Sequence, residues 1–118
     1  MIKGRSVTKE QKRFHDMLCQ DIGCAACAQD GMFNNWVSVH HIQGRTRSDA
    51  HWLVLPLCAS HHQDNGTAIA VHPYKARFEE KYGRQEDILV KCIHELLDRG
   101  FDVPEDALIA SRIKKEEI

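Results

Sequence analysis

The chain reads as an α+β fold, and three observations predict it. Apolar residues recur at helical spacing towards both ends, a central segment is rich in aromatic and β-branched residues, and cysteines and histidines cluster between these regions. A length of 118 residues is expected to form one domain, 1–118. Within it we expect an N-terminal helix over about 8–19, a core over about 19–72 and C-terminal helices over about 73–116. A core of this size gains from a metal staple.

Each element has a local cause. Thr8 followed by Gln11 is a capping box, so the first helix starts there and buries Phe14, Met17 and Leu18 as one stripe. A knuckle from Gly23 to Cys27 follows, and Asp30 and Gly31 turn the chain towards a strand. That strand runs from Asn35 to Ile42 and passes into a loop at Gly44. Trp52 to Leu55 is the expected partner strand, with Pro56 ending the ladder. A helix beginning near Leu57 carries the second ligand cluster. Pro73 suits the first turn of a helix through Tyr74, Phe78 and Tyr82, a stripe expected to face the core, and Gly83 stops it. Ile88, Leu89, Cys92, Ile93, Leu96 and Leu97 mark another helix, ended by Gly100. A last short helix starts after Pro104, and the tail from Arg112 to Glu117 is expected to be solvated.

The chemistry concentrates in two ligand clusters. Cys24 and Cys27 have the spacing that grips one zinc from a tight turn, and Cys58 and His61 repeat it. Cys24, Cys27, Cys58 and His61 therefore form an expected Cys₃His structural zinc site. Cys19 and Cys92 have no partner at metal spacing and read as core residues. His62 points about a quarter turn from His61 and is free for a different metal, with His40 and His41 as companions. Adjacent strand residues face opposite sides, so both can serve one site only if the strand twists or ends there. His40 and His62 then hold a divalent metal, and His41 is the general base. Mg²⁺ or Mn²⁺ is the expected second metal, with Zn²⁺ or Ni²⁺ also compatible with histidine ligands. His15, His72 and His94 read as histidines without such a role.

Charge limits the partners. The net charge of −1 argues against a generic DNA-coating protein; phosphate contacts need local basic density or a partner that delivers the substrate. Arg45 and Arg47, directly after the histidine pair, are the candidate DNA-binding residues. The basic residues of the first fourteen positions read as solvated helix surface. No segment has the apolar length of a membrane span, and five cysteines, an odd number, of which three have metal-type spacing, suit a reducing cytoplasm.

The run Val39-His40-His41-Ile42, followed by Leu57-Cys58 and His61-His62, resembles the ββα-metal, HNH or His-Me finger, nuclease motif. More narrowly, the stretches Cys24 to Cys27, Val39 to Thr46, His51 to Cys58 and Gly66 to Tyr74 resemble the phage recombination-enhancement nucleases of the Ref family, which are RecA-dependent HNH endonucleases. The likeness spans roughly residues 13 to 104. It implies a ββα-metal core with a structural zinc knuckle and flanking helices. It also implies DNA in a RecA filament or strand-exchange intermediate as substrate, in the host cytoplasm. By this resemblance His40 falls on the metal ligand, His41 on the base and His62 on the helix ligand. Cys24, Cys27 and Cys58 fall on the knuckles, and His61 replaces the usual fourth Cys. The motif's middle Asn would fall at Leu53, and His51, Asp49 or Asn65 are the candidate substitutes. Asn65 would share a face with His62 if the helix continues, or else stop that helix together with Gly66. The rival readings are a non-catalytic zinc-binding adaptor docking on DNA or a recombination protein, and a structural protein holding two zincs.

Overall fold

The computed structural model describes residues 6–63, 66 and 68–113. Its first helix, α1 (Lys9–Met17), begins at the expected capping box: Thr8 accepts from the Gln11 backbone N–H, and the Gln11 side chain accepts from Thr8 N–H. The helix does not stop at Cys19. It widens into a π-helical turn over Leu18–Ile22, which keeps Leu18 and Ile22 in the core beside Phe14. Met17 is only half-buried. Of the basic residues here, Arg13 pairs with Glu10 and Lys12 with Asp16, while Lys3 and Arg5 lie outside the described residues.

Gly23 ends this segment at φ +72°, and a Cβ there would lie 2.6 Å from the Asn34 carbonyl oxygen. Only glycine fits that approach. The knuckle continues as α2 (Ala25–Gln29), with Cys24 as its N-cap. Two antiparallel strands follow, β1 (Val37–His41) and β2 (Val54–Cys58), paired so that His40 lies opposite Leu55 and Val39 opposite Pro56. The second strand thus starts and ends later than expected, and Pro56 sits in its middle instead of ending it. Each strand of a two-stranded sheet keeps one unpaired edge, where a missing proline N–H breaks no ladder bond. Trp52 lies before the strand and packs on Phe14, ring centroids 5.8 Å apart.

Helix α3 (Ala59–His62) starts two residues later than expected, because Cys58 still belongs to the strand and caps the helix. It ends at Gln63, so it does not continue towards Asn65, which itself lies outside the described residues. After it come α4 (Lys75–Tyr82), α5 (Gln85–Asp98) and α6 (Glu105–Ala110). In α4 the aromatic stripe is split: Phe78 and Tyr82 are buried, whereas Tyr74 precedes the helix, is exposed and carries Arg77 over its ring. Helix α5 buries Ile88, Leu89, Cys92, Ile93 and Leu96 against β2 and the π-helical turn, and Leu97 is half-buried. β2 is buried along its whole length, while β1 is half-buried except for exposed Ser38 and buried His40. Ile113 is buried, so the tail is not solvated as far as that residue; Lys114 to Glu117 lie outside the described residues. Among the described residues no helix is long and apolar enough to cross a membrane.

Candidate functional site

Cys24 and Cys27 come from the knuckle, Cys58 from the end of β2 and His61 from α3; all four are buried, and their ligand atoms lie within 4.8 Å of one another. The Cys27 and Cys58 sulfurs are 3.8 Å apart, and His61 Nδ1 lies 3.6 Å from Cys24 Sγ, 3.6 Å from Cys27 Sγ and 3.2 Å from Cys58 Sγ. Bonds of about 2.3 Å to sulfur and about 2.0 Å to nitrogen span tetrahedron edges of about 3.8 Å between sulfurs and about 3.5 Å between sulfur and nitrogen. The cluster could therefore hold a metal ion, and its edges are consistent with zinc. Burial pushes the Cys24 thiol up, and burial first, then the neighbouring cysteines, push the Cys27 thiol to about 12, so a bound cation is what would draw the protons off.

The ring of His61 is held from behind. Nδ1 faces the sulfurs, so Nε2–H donates to the Tyr82 hydroxyl at 3.1 Å, and that hydroxyl donates to Asp30 at 2.8 Å. A carboxylate at the end of such a chain sets the tautomer and raises the basicity of the ligand nitrogen.

A second group comprises His40, His62 and His72, with ligand atoms again within 4.8 Å. His40 comes from β1 and His62 from α3, and both meet as the sequence suggests, with ring centroids 5.2 Å apart. His72 was read as a histidine without such a role, yet its ring centroid lies 5.0 Å from that of His40. The residues after α3 run back beside it: His72 forms a parallel bridge with Gln63 and donates its N–H to the His62 carbonyl at 3.2 Å. No local spacing signals this, because His72 is ten positions from His62, beyond the reach of a helix turn.

Two further side chains bond to these rings, and one of them decides a tautomer. The Gln85 amide nitrogen donates to Glu79 at 2.9 Å, which turns its oxygen towards His40 Nε2 at 2.6 Å. His40 Nε2 must then donate, and Nδ1 keeps the lone pair. Ser38 Oγ lies 2.9 Å from His62 Nδ1; with the ring donating, His62 Nε2 keeps its lone pair. Burial, beside the charges of neighbouring histidines and Lys75, holds His40 down at about 4, and burial also lowers His62. Both rings are neutral at neutral pH, the form that binds metal. These residues fit an open centre of three imidazoles.

His41 lines the same cleft as the three histidines, together with Arg45 and Lys75. Its Nε2 lies 2.9 Å from His51 Nδ1, while its Nδ1 is buried without a hydrogen-bond partner. A buried unpaired N–H costs more than an unpaired lone pair, so the favoured arrangement has Nε2–H donating and Nδ1 bare. Burial first, then Arg45 and the neighbouring histidines, depress His41 to about 4. His15 Nε2 donates to the His51 carbonyl at 2.6 Å, which gives a second of the unassigned histidines a place behind the site. Among the candidates for the missing Asn, His51 is brought to His41. Asp49 instead pairs with Arg47 at 2.9 Å, and both line a separate pocket, so Arg47 is not placed with Arg45. Leu53 is buried, and its carbonyl accepts from Ile42 N–H.

Sequence reasoning missed His72, Gln85, Ser38, Lys75 and Tyr82, each of which depends on tertiary packing. Residues 7–97 of this chain match the family described as recombination enhancement, RecA-dependent nuclease, and the chain belongs to that family.

Proposed function

We propose that this chain is a metal-dependent DNA endonuclease of the HNH type, a single nuclease domain in which β1, β2 and α3 form the ββα-metal core. The substrate is RecA-bound single-stranded DNA or a strand-exchange intermediate in phage recombination, in the bacterial cytoplasm. One observation carries the reading: three histidines that could hold a metal share a cleft with a fourth, His41, whose Nδ1 is bare. His40, His62 and His72 would hold a divalent ion, which would supply charge neutralisation at the scissile phosphate.

The chain's own residues do the rest. His41 Nδ1 takes the proton from the attacking water as its oxygen bonds to phosphorus and the P–O ester bond breaks, the leaving oxygen taking a proton from solvent, and His51 receives the Nε2–H bond that keeps the ring in that tautomer. An anionic phosphate in the cleft offsets the field of Arg45 and raises the basicity of His41 towards the working range. Arg45 and Lys75 bind phosphate oxygens from the rim. The Cys₃His cluster, as a structural zinc site, locks the end of β2 and the start of α3, and so places His62.

The test is cleavage of circular single-stranded DNA and of a strand-exchange intermediate, with and without RecA and ATP, across Mg²⁺, Mn²⁺, Zn²⁺ and Ni²⁺. Metal-dependent nicking that vanishes in His41→Ala, with zinc content and melting temperature unchanged, is the expected result. Cleavage by His41→Ala at the wild-type rate would remove the base assignment. Binding without cutting under every condition would favour the adaptor.

A further inference from the structure

Three large apolar side chains stand in solvent within five residues: Met32 at 57%, Phe33 at 65% and Trp36 at 87% exposed. Their backbone is tied down. The Asn34 carbonyl accepts from Cys24 N–H at 2.7 Å, its side-chain oxygen accepts from Trp36 N–H at 3.0 Å, and Gly23 closes against it. An indole on a pinned backbone loses little entropy on binding something.

Trp36 immediately precedes β1, and alternation places it on the face that carries Ser38 and His40. Trp36, Ser38 and Ala59 line one surface cleft, and Ser38 links it to the histidine group through His62. At about 3.3 Å per residue Trp36 lies about 13 Å from His40 along the strand, a span of about four nucleotides if the bases stay stacked at ~3.4 Å each and of fewer if the strand is extended. Arg45 and Lys75 line the histidine cleft at the other end of this track. Cations at one end and an exposed flat ring at the other match an alternation of phosphate and base.

We propose that Trp36 is a base-stacking subsite for single-stranded DNA, fixing the strand on one side of the scissile phosphate. This rests on the nuclease reading of the histidine cleft. Paired bases in a duplex are already stacked on both faces, so the subsite selects unpaired strand.

The experiment measures anisotropy of a labelled oligothymidylate, an abasic strand of equal length and a duplex, with full-length protein in the His41→Ala background so that strands stay intact. Adding Trp36→Ala should weaken oligothymidylate binding by about 5- to 150-fold. Trp36→Phe should retain most of the affinity, and abasic and duplex binding should not change. Wild-type affinity for oligothymidylate in Trp36→Ala, or an equal loss with the abasic strand, would overturn the subsite. Unchanged oligonucleotide binding with lost binding to RecA filaments would also overturn it and assign the patch to protein docking. Binding through Trp36 by a protein that never cuts, even with His41 intact, would leave the subsite standing and remove the nuclease reading. Cutting with unaltered binding in Trp36→Ala would do the reverse.

Discussion

Replacing Gln85 by Leu tests the second centre most directly, because the two side chains are similar in size and Gln85 is only 2% exposed. The change removes the 2.6 Å bond to His40 and the 2.9 Å bond to Glu79. Glu79 is half-buried and can turn to water, so the loss falls on His40, whose Nε2–H is left unpaired. A buried unpaired donor costs about 1–3 kcal/mol. Loss of the partner behind a ligating histidine weakens metal binding by about 10–100-fold, equivalent to about 1.4–2.8 kcal/mol. The two estimates agree, and they separate in the assay. Calorimetric titration of Mn²⁺ or Co²⁺ into protein with its cysteine site filled reads affinity, and thermal melting reads stability. Gln85→Glu, which can still accept from His40, should hold or raise affinity despite repulsion from Glu79. If Gln85→Leu binds metal like the wild type and only melts earlier, Gln85 is a packing residue and the tautomer argument fails.

Tyr82→Phe keeps the ring packed on Phe78, centroids 5.0 Å apart, but removes the hydroxyl between His61 and Asp30. Competition with a chromophoric chelator should show zinc held about 10–100-fold more weakly. His72→Ala, at an exposed position, should move stability by no more than about 0.5 kcal/mol yet reduce metal content after mild dialysis from two ions per chain to one; retention of both would exclude His72 as a ligand. Acid should destabilise the fold through His15. Burial lowers its folded pKa, so its contribution is complete above the unfolded value of about 6.5 and is lost as pH falls from there through the folded value. Denaturant melts at pH 7.5 and 5.5 should show a smaller pH dependence in His15→Gln, and an unchanged one would contradict this.

What was legible in the sequence is what a few neighbouring residues decide. The Thr8 and Gln11 capping box, the periodic stripe of α5, the stop at Gly83 and the two pairs of metal-spaced residues are all short-range. Helix caps and tight knuckles close over three or four residues, so their causes sit side by side in the chain. Pairing of the two knuckles, and of His40 with His62, was also legible, because only a few residue types can serve as ligands. The tertiary structure alone decided the rest. Gln85 reaches His40 across 45 positions, Tyr82 joins His61 to Asp30 across 21 and 52, and His72 meets His40 because the chain folds back beside α3. A glutamine, a tyrosine or a lone histidine has many possible uses. Which one it takes depends on what the packing of α4 and α5 places opposite it, and neither local propensity nor spacing encodes that.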